Sequence, residues 1–440
     1  MTLRIKSRWL CEADRDFDST LQSAEDEATL GELGIHVGQT CLTQAINSET
    51  NTYRDGANLS AYRLAEWLAW HWWRLRWEPA RQGRRNVDWS EAHDLACIGG
   101  GWLWPNITIK SDGVRIVFAA RPSEVVQTEQ LHYKTDRIAI IPARTFEEGI
   151  DDFVECVLIR LAECTYMNTD LHSIWSELSS ERKDPDISLY RRFEAYLGFD
   201  PDEAEPELVE QLIAEGNDLG LDAVSEVVAD DHQSALGLHD AAREFGFDTC
   251  PSDGVQSVST SQHVDRSQVP AWQVGVEVAH QLRQQEHLGD DAIPNARLAE
   301  LCGISERVLS RQDSTGNLVF ALDDENRKTG RVVLRSVWEQ GRRFAIARLL
   351  ADRLLDDDNE LLHPATGTYT YRQKMQRAFA GEFLCPIHSL LAFLNDDFSD
   401  EKQQDAAEHF NVSSFAVTAR LVDNGYLDRE ELQDPEAKAA

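Results

Sequence analysis

The sequence predicts a multi-domain α+β protein, and three stretches carry that prediction. Residues 1–145 alternate apolar and polar side chains around turn signals, as strands do. Residues 146–250 switch to apolar residues at three- and four-residue steps, as helices do. A Ser-, Gln- and Asp-rich segment, 251–268, then separates these from a second mixed region that reaches the C-terminus.

The first region is read as a strand-rich domain built around one helix. Residues 59–77, LSAYRLAEWLAWHWWRLRW, wind with Leu64, Trp67, Leu68, His71 and Leu75 on one side and Trp70, Trp73 and Trp77 on the other. Apolar surface nearly all the way round predicts a buried central helix, which Pro79 ends. A Trp-rich core is the simplest use of these rings, and a platform for an aromatic ligand or nucleobase is the alternative. Residues 107–110 and 114–120 flank Ser111-Asp112-Gly113 and read as a hairpin, and 138–141 as a further strand. Gly99-Gly100-Gly101 has no following Lys-Ser/Thr, so it is a turn and not a phosphate loop.

Residues 146–250 read as a small helical domain, with Ile150, Phe153, Val154, Val157, Leu158 and Leu161 on one face of its first helix. The segment 251–268 is taken as the linker. Residues 269–395 then form a third domain and 396–440 a C-terminal helical extension.

The formal net charge is −34 over 440 residues. A field of that sign repels nucleic-acid phosphates within a Debye length of about 8 Å and argues against direct DNA binding. The one basic cluster that could reverse it is Arg74, Arg76, Arg81, Arg84 and Arg85. No apolar run is long enough to span a membrane, the first residues do not form a signal peptide, and a cytoplasmic location is expected. The eight cysteines show no Cys-x-x-Cys spacing and read as small buried hydrophobes.

The third domain carries a resemblance. Arg342-Arg343-Phe344-Ala345-Ile346-Ala347 opens a helix, and Gln373-Lys374-Met375-Gln376-Arg377-Ala378-Phe379-Ala380-Gly381-Glu382-Phe383-Leu384-Cys385-Pro386 forms the next. Ala406-Ala407-Glu408-His409-Phe410-Asn411-Val412-Ser413 leads on through Arg420-Leu421 to Gly425-Tyr426-Leu427. In this order and spacing, residues 270–427 resemble the ImmA/IrrE family of zinc metallo-endopeptidases. The resemblance implies a zincin-like domain. Active members typically cleave helix-turn-helix repressors or related regulators, often in mobile-element or stress circuits.

The family's chemistry needs two His one helical turn apart to face zinc, a Glu to activate the bound water, and a carboxylate from the next helix. Aligned on the resemblance, those positions hold Arg348, Leu349, Asp352 and Gln373. A guanidinium cannot ligate a cation, and a leucine cannot take a proton. The motif is therefore degenerate: no catalytic residue, no metal and no cofactor is expected. Arg348 and Asp352 are four apart, so an ion pair between them, with Gln373 bonding from the next helix, is the expected replacement.

Other patterns are weaker. His280 and His287 are seven apart and would share a helical face; Asp352, Asp356, Asp357, Asp358, Glu360 and His363 form an acidic cluster without calcium-loop spacing. Residues 296–305 and 405–421 look like helix-turn-helix, but they carry too few cations to grip phosphates. The expectation is a pseudopeptidase that binds a protein partner, a regulator or complex subunit, possible settings being mobile-element control, stress or phage defence. The alternatives are a metallopeptidase with unrecognised ligands and an acidic nucleic-acid mimic that binds a basic protein.

Overall fold

Alternation in the first residues does produce strands. The computed structural model describes residues 2–10, 23–48, 51–80, 87–123, 131–258, 265–310, 316–355 and 360–428. Within them the chain is mixed α and β, with four small antiparallel sheets and many helices. It divides into two compact units, Met1–Glu210 and Gln211–Ala440.

The first unit begins with β1 (Leu3–Trp9), α1 (Ala24–Ala28), β2 (Leu30–Val37), β3 (Thr40–Cys41), β4 (Ala45–Asn47), β5 (Thr52–Arg54) and β6 (Ala57–Ser60). It continues with α2 (Ala61–Trp70), α3 (Trp72–Trp77), α4 (Val87–His93), β7 (Ile107–Ser111), β8 (Arg115–Ala120), β9 (Leu131–Tyr133) and β10 (Arg137–Pro142). Helices α5 (Ala143–Glu163), α6 (Asp170–Glu181) and α7 (Pro185–Leu197) close it, and α8 (Pro206–Leu219) runs through the division.

β2 carries β1 on one edge and β3 and β6 on the other. The expected hairpin forms as β7 and β8, in register from Ile107↔Ala120 to Ser111↔Ile116, with Gly113 at φ 87 in the turn. β10, the strand expected at 138–141, pairs with the far edge of β8.

The tryptophan helix is largely buried and is broken once. Ser60 caps α2 by accepting the Arg63 amide, and at His71 the chain leaves helical geometry before α3. Trp67, Trp72 and Trp73 enter the main hydrophobic core of this unit. Trp70 does not: it is 53% exposed, against the expectation that it covers a second buried face.

The second unit contains α9 (Leu221–Ala235), α10 (Leu238–Phe245), β11 (Phe247–Thr249), α11 (Ala271–Gln285), α12 (Asn295–Leu301), α13 (Arg307–Ser310), β12 (Phe320–Asp323) and β13 (Gly330–Val333). After these come α14 (Glu339–Leu355), β14 (Leu362–Pro364), α15 (Tyr371–Leu384), α16 (Ile387–Leu394), α17 (Asp400–Phe410) and α18 (Ser414–Asp423). Its sheet runs β11-β13-β12-β14. Helix α11 lies along α15, which also packs on α14.

This corrects the expected domain limits. Residues 146–250 are not a domain of their own: α5 packs on β1, β8, β10 and α2, whereas α9 packs on β14 and α10 on β13. The boundary falls at 210/211 and not in 251–268, because β11, just before that segment, pairs with β13 beyond it. Nor are 396–428 a separate extension, since Phe410, Val417 and Leu421 share one core with Phe379 and Phe383. The segment 405–421 does fold as two helices, α17 and α18, joined by Asn411 in left-handed geometry and capped by Ser413.

Among the described residues no single helix is long and apolar enough to cross a membrane. Helices α15 and α16 pass that test only as a pair bent by 46°, and both contribute to the buried core.

The contact between α11 and α15 depends on Gly275. A Cβ there would lie 2.3 Å from the Met375 carbonyl oxygen and 2.8 Å from the Phe379 nitrogen. Gly275→Ala should therefore lower stability by about 1–3 kcal/mol, as overpacking does. Urea unfolding checks this, and an unchanged midpoint would contradict the close approach.

Candidate functional site

Helix α14 sets the site by its helical phase. Leu349 turns into the apolar core beside Ile346 and Leu350. Arg348 and Asp352, one turn apart, point instead toward β14, α15 and the loop between them. Thr370 caps α15 by accepting the Gln373 amide, which fixes where Arg372, Gln373 and Gln376 begin.

Asp352 is fully buried and its two oxygens are fully engaged. Oδ1 accepts from Arg372 Nε at 2.8 Å and from Gln376 Nε2 at 2.6 Å. Oδ2 accepts from Arg372 Nη2 at 2.6 Å and lies 3.1 Å from His363 Nδ1. Burial alone would raise the Asp352 pKa, but the charge and bonds of Arg372, with His363, outweigh it and hold the carboxyl far below the usual range.

The network extends from there. Arg372 Nη1 reaches Glu360 Oε2 at 2.7 Å, and Glu360 Oε1 accepts the Ala223 amide at 3.0 Å. Arg353 forms a two-pronged pair with Asp323, whose Oδ2 is 3.5 Å from His363 Nε2. On α9, Glu226 accepts from Thr368 and Thr370 hydroxyls at 3.1 and 2.8 Å. Burial pushes Glu226 up to about 7.

The expected Arg348–Asp352 ion pair does not form. Asp352 is saturated by Arg372, His363 and Gln376, so Arg348 turns to neutral acceptors: the Thr366 carbonyl at 2.7 Å and Gln373 Oε1. The Gln373 bond from the next helix is present, to Arg348 and not to Asp352. Gln373 Oε1 also accepts the Thr366 amide at 2.9 Å, and its Nε2 donates to Pro364 O at 3.1 Å. Without a bonded carboxylate, Arg348 is pulled down to about 9 by burial, aided by the charge of Arg377.

These residues do not fit zinc. Arg348 and Leu349 offer no ligand, the Asp352 lone pairs are taken by cationic and amide donors, and Gln373 Oε1 is already an acceptor twice over. Among the described residues no group of three or more His, Cys, Asp or Glu side chains is arranged to hold a metal ion.

Sequence reasoning missed Arg372, Gln376 and Glu226 as members of this site. The signal for the first two was their spacing, since Gln376 lies three residues after Gln373 and four after Arg372 on one helix. Nothing local pointed to Glu226, which arrives from α9. Of the acidic cluster, Asp352, Glu360 and His363 do converge, while Asp356, Asp357 and Asp358 lie outside the described residues.

The other candidates resolve separately. His280 Nε2 lies 2.8 Å from Glu382 Oε1, and Glu382 also pairs with Arg420. His287 sits beyond the end of α11 in left-handed geometry, so the two histidines share no helical face. Arg74 and Arg76 are buried, held by Glu78 and Asp200 and by Glu147, and present no basic face. Arg81, Arg84 and Arg85 lie outside the described residues.

The two shifted carboxyls act on stability in opposite pH windows. Asp352, depressed from 3.8, stabilises above that value and loses its contribution as pH falls further. Glu226, raised from 4.5 to about 7, contributes fully below 4.5, and that contribution is lost as pH rises through 7. Glu226→Gln should therefore flatten the stability profile between those two values, a difference of a few kcal/mol at most, as read by urea unfolding across pH. A variant profile parallel to the parent's would show that Glu226 does not titrate there.

Compared with known proteins, the chain matches no family model, no curated protein and no solved structure.

Proposed function

We propose that this chain is a catalytically inactive relative of the ImmA/IrrE metallopeptidases, built on a zincin-like domain and acting by binding a protein as a regulatory or scaffold component. Its setting would be that of the relatives it resembles: mobile-element control, stress or phage defence. The observation that carries the reading is Arg372, whose guanidinium grips Asp352 through both oxygens at one of the positions the resemblance assigns to a metal ligand.

The chemical argument is one of substitution. A zinc ion cross-links two helices by gathering electron pairs from both. Here Arg372 and Gln376 on α15 donate to Asp352 on α14, and Gln373 on α15 accepts from Arg348 on α14. The same two helices are joined by hydrogen bonds and charge, and among the described residues no group of metal-ligating side chains is placed to polarise a peptide carbonyl or activate water. A scaffold that keeps its shape without its chemistry retains recognition, and recognition of a regulator is what this reading assigns to it.

Metal analysis of the unchelated, untagged protein by plasma mass spectrometry tests the proposal. Less than about a tenth of an equivalent of zinc, manganese, iron or nickel is expected, since a working site would hold its metal through dialysis. Near one equivalent would overturn the reading and favour a metallopeptidase with another ligand set.

A further inference from the structure

The first unit holds a groove of about 570 Å³ between α2 and α6. Glu66, Trp67 and Trp70 line it from one face of α2, His71 from the break just after it, and Asp170 and Ile174 from one face of α6. The volume is in the range of small-ligand sites.

Its charges are unequally committed. Arg63, which also borders the groove, is spent on Asp26 through Nε at 3.1 Å and Nη2 at 2.7 Å. His71 Nδ1 lies 3.0 Å from Asp200 Oδ1. Among the described residues, Glu66 and Asp170 form no ion pair; Glu66 takes only a Tyr62 hydroxyl, at 2.8 Å. Burial raises the Glu66 pKa; the Tyr62 hydroxyl and the charge of Arg63 pull it back, the charge of Asp170 pushes it up, and the raising effects win.

The groove's wall is aromatic. Trp70 is 53% exposed, while Trp67 is fixed by a bond from Nε1 to the Glu91 carbonyl at 3.1 Å. Elsewhere in this unit the chain places guanidinium groups against indoles: Arg76 and Arg192 lie 3.8 and 4.2 Å from the Trp77 ring, and Arg182 lies 4.5 Å from that of Trp72. At Trp70, among the described residues, no guanidinium stacks on the indole, and the Arg63 guanidinium in the same groove is bonded to Asp26 and not to Glu66 or Asp170.

We propose that this groove binds an alkylguanidinium, its plane stacked on Trp70 and its N–H groups donated to Glu66 and Asp170. A planar, weakly hydrated cation suits an indole face and carboxylates together, and it relieves the repulsion between the two acids. The group could come from a free small molecule or from an arginine side chain of another polypeptide.

Isothermal titration calorimetry on the full chain at fixed ionic strength tests this with agmatine, with acetyl-Gly-Arg-Gly-amide and with the neutral citrulline analogue of that peptide. Agmatine or the arginine peptide should bind, the citrulline peptide should not, and the tighter of the two binders names the source. Trp70→Ala and Glu66→Gln should each weaken binding roughly tenfold. Glu401→Gln, an exposed acid on α17, should leave it unchanged. Circular dichroism melting separates loss of binding from loss of fold for each variant. No heat with either guanidinium ligand into the millimolar range would overturn the proposal. So would binding that ignores both groove variants or that spermidine matches in every variant, since that would be attraction to net charge alone.

Discussion

The second unit turns on one interaction, the paired grip of Arg372 on Asp352. Asp352 sits on α14 with no access to water, and a lone carboxylate there would carry a prohibitive desolvation cost. Arg372 brings an opposite charge and two parallel donors in the geometry a carboxylate best accepts. Once that pair exists, its remaining valences dictate the neighbours. Glu360 must meet the third arginine nitrogen, Gln376 the free lone pair of Oδ1, and His363 that of Oδ2. One buried charge thereby fixes a helix, a strand and a loop against α14.

Buried arginines recur through the rest of the unit as connectors. Arg342 spans Ser336 and Val308 carbonyls, and Arg343 reaches Asn411 and Ile293 carbonyls from the next position on α14. Glu382, enclosed on α15, ties Arg420 of α18 and His280 of α11 to one carboxylate. Each guanidinium supplies up to five donors, so a single side chain can satisfy several loop carbonyls that regular structure leaves open. In the first unit Glu78 plays the converse part, accepting from Arg74 and lying 3.2 Å from His93.

How much of this was legible in the sequence depended on distance along the chain. The hairpin of β7 and β8 was readable because alternation and Gly113 are local signals. The burial of most of the tryptophan helix followed from its composition, but the exposure of Trp70 did not, because it depends on where α6 lies. The helical phase of α14 put Arg348 and Asp352 on one side, and that too was readable. Their pairing was misjudged because the rule for neighbours on one helix knows nothing of Arg372, twenty residues on, with better geometry. The polar segment 251–268 looked like a boundary by composition, yet β11 and β13 pair across it. Glu226, on α9, was invisible for the same reason: only the fold brings it to Thr368 and Thr370.

The Asp352–Arg372 pair organises this site. A double-mutant cycle of Asp352→Asn, Arg372→Met and the combination, read by urea unfolding at neutral pH, tests it most directly. Either single change should cost about 3–5 kcal/mol, because each strands a buried partner, and the combination should cost much less than their sum. Additive losses, or single changes within about 0.5 kcal/mol of the parent as at ordinary surface positions, would contradict it.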